Sequence, residues 1–542
     1  MLNKPTLQSR KYLFYFSRNV SMTSTPRRAS TSPQRKGVAA PAVATALKQF
    51  NDIPGPMALP MLRYSAHVLP RIGSFHHTVG PGVLDRLRRK YGDMVRLAKA
   101  ARTRPVLYVF HPDMMKEVYE SHATEIPRFE KSPLSHHRKA VGCPVHRDES
   151  KAIWAAIRTL LQDGTLIQSY EKAFDDIAVD ATRRLGELRH AENALNEELE
   201  TEVYRWSVET LGVMIFGIRL GCLDGDVHVP TPQNKKPEKT SMDDETPDEC
   251  SLSSRCETQL TPAEHLVRNS RDIAKGNYLV RSEGTLKKES ATFNSALKAF
   301  DRHFNLTEHF LFKALEALNS GKLRPEQTLL DKLRPLESRI LPLAADVLLA
   351  GVDPLAQTTI NTFYDLSLHA AQQQRAHDEV SWSIASKAEG VDVSELPYIA
   401  SCVREAMRLY PATGGVVRRS MDNIAVGGYE IPAGVDIVLA HGVTSKSDKE
   451  WPRPNSFIPE RWCSKAWESN EPIKASSAHH LASLPFGESC PASGIASKMV
   501  ESLVMRVLER YRLEWHGAAP NLATVGVNRI NPPFYFVLQN AS

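Results

Sequence analysis

The chain has 542 residues, 42% hydrophobic and 24% charged, which is ordinary globular composition with ample length for a large core. Its formal charge of +6 is uneven: residues 1–50 hold nine Lys and Arg and no acid, which leaves the remainder at −3. A near-neutral body excludes a nucleic-acid protein, whose basic excess should lie on the folded domain. The seven cysteines, at 143, 222, 250, 256, 402, 463 and 490, form no C-x-x-C pair, which excludes a zinc site or a secreted disulfide framework and fits a reducing compartment.

In chain order, the basic, Ser-rich, acid-free leader (1–50) has the pattern of a mitochondrial transit peptide cleaved before Asp52; the plain alternative is a disordered basic tail. Its apolar run YLFYF (12–16) is too short for a membrane span, and no other segment reads as one. FNDIPGP (50–56) punctuates entry to a folded body over 51–542. VLDRLRRKYGDMVRL predicts a helix running into a strand, and PVLYVFHPDMMKEVYESH predicts strand, turn and helix. Amphipathic helices are expected at 150–162 and 199–218. Residues 224–257, rich in Asp, Pro, Ser, Lys and Glu, read as a disordered polar insertion. The stretch 339–371 is apolar nearly all round and should run through the core. A helix over 398–410, a hairpin in 423–440, a helix after Cys490 and a strand pair that includes 533–538 complete a mainly α chain with a small β region.

Four patterns carry chemistry. Glu405-Ala-Met-Arg408 places an acid and a base on one helix face. Phe457-Ile-Pro-Glu460-Arg461-Trp462 lies about fifty residues later. Trp154-x-x-x-Arg158 sets an aromatic ring beside a guanidinium. LPFGESCPASGIASKM (483–498) holds a lone thiol among small residues; by itself Cys490 is a packing residue, a nucleophile or a metal ligand.

In this order and spacing the set resembles the cytochrome P-450 family, and more closely its mitochondrial branch. The resemblance runs from about Asp52 to the C-terminus through EVYRWSVETLGVMIFGIRLG, LLAGVD, REAMRLYP, YEIPAG, IPERW and Cys490 with Ala496 and a long helix. It implies that haem is held between a long core helix and a cysteine-loop helix, with Cys490 as axial thiolate to the iron and Phe486 and Gly487 in the loop beneath. It implies haem-propionate contacts at Trp154, Arg158 and Arg418, and a buried ion network of Glu405, Arg408 and Arg461. Ala350 and Gly351 match the small residues that leave room for dioxygen over haem b, and Asp353 the acid that helps deliver protons. The implied activity is oxygen insertion into a lipophilic, sterol-like or xenobiotic, substrate. Electrons would come from a small acidic ferredoxin docking at Arg404, in the mitochondrial matrix with peripheral contact to the inner membrane.

Three departures bear on turnover. The family's threonine after Asp353 is Pro354, without hydroxyl or N–H, and Thr358 one turn on, about 6 Å along the axis, is its candidate substitute. Only Gly487, Glu488 and Ser489 separate Phe486 from Cys490, so the loop lacks the usual glycine and arginine and gains a negative charge. The insertion at 224–257 pairs with an apparent loss after EHFLF (308–312), where the family has a substrate-covering helix pair. These departures favour an alternative: a haem-binding relative with weak or no oxygenase activity, serving as a lipid binder or sensor. Ala412 to Val416 are expected to line the pocket, with Gly414-Gly415 making it roomy.

Overall fold

The computed structural model describes residues 47–56, 82–97, 104–125, 132–142, 155, 157–189, 194–195, 198–225, 260–276, 290–323, 329–333, 339–386, 395–463, 479–483, 490–520, 522–525 and 527–541. The leader up to residue 46 and almost all of the 224–257 insertion lie outside them.

The longer helices are α1 (Gly82–Tyr91), α2 (Pro112–Glu120), α3 (Pro133–Ala140), α4 (Gly164–Glu187), α5 (Glu198–Phe216), α6 (Pro262–Lys275), α7 (Ala291–Asn319), α8 (Ile340–Leu368), α9 (Ala370–Ser386), α10 (Pro397–Leu409) and α11 (Ser493–Arg510). Several starts are written in the sequence. Ser132 caps α3 by accepting the Ser135 N–H at 3.2 Å, with Pro133 in the first turn. Thr261 and Glu264 form a reciprocal capping box at α6, and Ser290 caps α7.

The main sheet has five strands: β1 (Met94–Leu97), β2 (Val106–Val109), β3 (Thr124–Glu125), β4 (Val416–Ser420) and, beyond the hairpin of β5 (Ile424–Val426) and β6 (Tyr429–Ile431), β7 (Asp436–Leu439). Their order is β1-β2-β7-β4-β3, antiparallel but for the β2–β7 pair. Gly427 and Gly428 turn the hairpin at φ +58° and +80°, the left-handed region that a two-residue loop demands. At the C-terminal end, β8 (Tyr511–Trp515) pairs antiparallel with β10 (Phe536–Asn540), while β9 (Val527–Ile530) pairs with Leu522–Val525.

The helices pack around α8, which touches α5, α6, α7, α9, α10, α11, β8 and β9. Its apolar run is the centre of the largest hydrophobic cluster, as its all-round hydrophobicity predicts. Gly351 lets α8 come close to α5, because a Cβ there would lie 2.9 Å from a methyl of Leu211. A second cluster, including Val109, Ile437 and Leu439, sits on the main sheet.

One expectation needs correction. Ile340–Leu368 is in fact long and apolar enough to cross a membrane, but it is packed inside the protein, so its hydropathy belongs to the core. α7 runs through EHFLF (308–312) to Asn319, lies along α6 and, with it, packs against α8.

Candidate functional site

Cys490 stands three residues before α11, half-buried. Burial pushes its thiol above the ordinary range; opposing this, the Ala492 amide, the Arg158 guanidinium and the Ser493 amide favour the thiolate. The helix start is thus turned on the sulfur, as the small residues around it allow. Cys490 is desolvated by burial and still partly accessible. Its donor set is a soft sulfur flanked by backbone N–H groups and a cation, which suits a thiolate–iron bond and the anionic edge of a porphyrin.

Behind it lies the ion network. Arg408 clasps Glu405 at 2.8 and 2.9 Å, Arg461 reaches the same carboxylate at 3.1 Å, and all three side chains have 0% exposure. Trp462 Nε1 and the Ile458 N–H donate to the remaining acceptor sites at 2.9 and 3.1 Å. Arg408 also donates to the carbonyls of Ser445, Pro454 and Ser456, and Trp451 lies against both guanidiniums. The three residues named from the sequence do meet, and Trp462 and Trp451 join them. Such a cluster fixes α10 to the Pro459–Trp462 turn; it is buried and, apart from Arg461 Nη1 and Trp451 Nε1, its side-chain polar atoms are hydrogen-bonded, so its role is to hold shape.

Along α8, Pro342, Asp346, Ala350 and Pro354 recur every four residues and are half-exposed or, at Ala350, exposed, although most of the helix is buried. Residues four apart share a face, so these form an open stripe down a core helix. Ala350 and Pro354 lie on it and Gly351 beside it; Thr358 is next on the same line but is 5% exposed, at the sealed end. The helix continues through Pro354. Asp353 is turned elsewhere: Tyr204 of α5 donates to its Oδ1, and Arg529 of β9 holds the same oxygen at 2.8 Å. Burial raises the Asp353 carboxyl, opposed chiefly by Arg529. Its Oδ2, with Ser270 Oγ and His303 Nδ1, has no hydrogen-bond partner; all three residues line one 10 Å³ cavity. Three residues with an unpartnered polar atom thus line a space of about one water.

Arg418 is half-buried on β4, its guanidinium 5.4 Å from the Tyr119 ring centre. Tyr119 bonds His441 at 2.9 Å, and His441 bonds the Leu481 carbonyl at 3.0 Å. This chain leads from Arg418 to the segment entering the cysteine loop, and neither Tyr119 nor His441 is marked by any motif. Arg404 is exposed on α10 beside the network. Ala412 is buried, and the two glycines after it differ: Gly414 has room for a Cβ, whereas at Gly415 the Leu439 carbonyl oxygen would lie 2.5 Å from it. Gly415 is therefore a close-approach residue rather than a source of pocket volume. Trp154, Phe486, Gly487 and Glu488 lie outside the described residues.

A thiol at the head of a helix, an ion-locked Glu-x-x-Arg and an open stripe on a core helix are the parts that a haem-thiolate site requires. The sequence model of the Cytochrome P-450 family matches residues 66–536, and the chain belongs to that family. It is similar to "Probable cytochrome P-450 49a1" of Drosophila melanogaster, 22% identical over 92% of this chain and 83% of the relative. It is also similar to "Probable cytochrome P-450 301a1, mitochondrial" of the same fly, 23% identical over 86% and 83%. The human "25-hydroxyvitamin D-1 alpha hydroxylase, mitochondrial" is 28% identical over 79% and 81%.

Proposed function

We propose that this cytochrome P-450 monooxygenase binds haem b through Cys490 and oxidises a lipophilic, sterol-like substrate in mitochondria, with electrons from a small ferredoxin. The observation that carries the reading is Cys490: an accessible but desolvated sulfur with two helix-start amides and Arg158 gathered on it. Haem, when bound, supplies the activation of dioxygen and its insertion into a C–H bond. Cys490 would be the ligand below, deprotonated by the metal, and the Ala350–Pro354 stripe the wall above. Arg158, Arg418 and Trp154 are assigned to the propionates, and Phe486 and Gly487 to the loop under the ring. Ala350, exposed on that stripe, would leave space for a diatomic molecule, whereas the room beside Gly351 is filled by Leu211 of α5.

Asp353 would hold the proton to be delivered. Its Oδ1 is held by Tyr204 and Arg529, leaving Oδ2 at the polar cavity to exchange it. The proline at 354 has no hydroxyl to pass that proton to the open face, so Thr358 or water must do so. A ferredoxin would dock at exposed Arg404, and salt would weaken the contact. The mitochondrial assignment rests on the basic leader and on relatives whose names carry it.

A second reading, favoured by Pro354 itself, is a haem protein with weak turnover that binds a lipid. One experiment separates the two. Oxygen uptake driven by a reduced small ferredoxin is expected, with most of the oxygen released as hydrogen peroxide; Pro354→Thr should cut the peroxide share severalfold in the presence of 25-hydroxyvitamin D or cholesterol as probe. Absence of ferredoxin-dependent uptake in both proteins would leave the second reading.

A further inference from the structure

A cleft of 440 Å³ lies between α6 and α7 and shares no residue with the site described above. His265, Arg268 and Asp272 line it from α6, and Arg302, Asn305 and His309 from α7. On each helix the three recur at steps of three and four residues, so each set occupies one face. The volume is that of a small-molecule site. Among the described residues Arg268 and Arg302 make no ion pair and no hydrogen bond, and Asp272, one turn from Arg268, is unpaired as well. Asn269 lines the same cleft and is 4% exposed. Its Nδ2 donates to the Ala299 carbonyl at 3.1 Å, which ties α6 to α7, while its Oδ1 has no hydrogen-bond partner. A buried acceptor of this kind is costly unless a molecule in the cleft donates to it.

A lining made mainly of charged and amide groups does not suit a lipophile. Two unpaired guanidiniums from two helices call for an anion, and a phosphate accepts from both at once. A bare anion, however, would leave Asp272 and Asn269 Oδ1 facing it as acceptors. O–H groups on the same molecule satisfy both. We infer that the α6–α7 cleft binds a phosphate ester carrying free hydroxyl groups, with Arg268 and Arg302 on the phosphate and Asp272 and Asn269 Oδ1 accepting from the hydroxyls. Such an ester comes either as a soluble phosphomonoester or as the phosphodiester head of a bilayer lipid; the two share this chemistry and differ in phosphate charge. The site is independent of the haem reading, because no residue of the cleft is assigned to haem, dioxygen or the oxidised substrate. A ligand here would join the two helices whose next residues, Ser270 and His303, line the cavity at Asp353.

The test is titration calorimetry of the full-length, haem-loaded protein with four water-soluble probes. Glycerol 3-phosphate is the monoester, and glycerophosphoglycerol is a lipid head group freed of its acyl chains. Propyl phosphate lacks the alcohol groups, and glycerol lacks the phosphate. The better of the two glycerol esters is expected to bind about tenfold more tightly than propyl phosphate, and glycerol not to bind. A tighter monoester identifies a soluble metabolite as the source, and a tighter diester a lipid head. The double variant Arg268→Gln, Arg302→Gln, at two exposed positions, should weaken the better ester by at least about tenfold and keep the wild-type unfolding midpoint. Asp272→Ala should narrow the preference for that ester over propyl phosphate. If neither glycerol ester binds the wild type, or the double variant binds as tightly, the site is overturned. Equal binding of propyl phosphate and the esters overturns the hydroxyl-bearing class. Should the double variant fail to fold, the wild-type probe series decides alone.

Discussion

A carboxylate with no exposure is stable only when its lone pairs are all taken, and Glu405 meets that condition with two arginines, an indole N–H and a backbone N–H. Replacing it by Gln leaves Arg408 and Arg461 buried without a counter-charge, at about 3–5 kcal/mol. Glu405→Gln should therefore lower the thermal unfolding midpoint sharply and release haem, whereas Glu460→Gln, whose partner Arg375 is partly exposed, should change little. Equal effects in the two variants would remove the network's role. His303 gives a pH prediction. Burial drives its pKa from 6.5 down to about 4, so the folded protein keeps the ring neutral while the unfolded chain protonates it. Stability from this group is whole above pH 6.5 and is lost as pH falls towards 4, by about 3 kcal/mol in full. His303→Gln should flatten the decline of the unfolding midpoint between pH 6.5 and 4.5; an unchanged slope would assign the decline to other groups. Residues of this kind divide by legibility. Glu405, Arg408 and Arg461 are legible because their partners sit in short motifs. Tyr204 and Arg529, which hold Asp353, are not, because the three come from separate elements and no local pattern marks the meeting.

Part of the helical content is legible in the sequence, where apolar periodicity runs long enough to show. Apolar periodicity marks α5, α8 and α10, whereas α3, α4 and α6 are absent from the helices expected above, although a hydroxyl cap with proline opens α3 and a capping box opens α6. What local chemistry does not report is which helix covers which. Glycine roles likewise needed the neighbours. Gly414 and Gly415 look equivalent in sequence, yet a side chain at 415 meets a backbone carbonyl that cannot move aside, and one at 414 meets only open space and Asn528. Gly415→Ala is expected to destabilise by about 1–3 kcal/mol and Gly414→Ala to be nearly neutral, read from denaturant midpoints. The reverse order would show that the α10–β4 loop relaxes away from β7.

For the whole molecule, the resemblance carried more than periodicity: the order of small motifs across the chain fixed the family, and the family match agrees. The architecture then explains why those motifs are far apart. The sulfur is at the head of α11, the ion lock on α10, and the open stripe on α8; α8, α10 and α11 pack against one another. A porphyrin between sulfur and stripe would be the one group touching both.

The most direct measurement is the reduced, carbon monoxide-bound difference spectrum of the full-length protein and of Cys490→Ser. The account predicts the red-shifted Soret band of thiolate-ligated haem in the wild type and its loss in the variant. A wild type with no Soret absorption, or a red-shifted band that survives in Cys490→Ser, would contradict it.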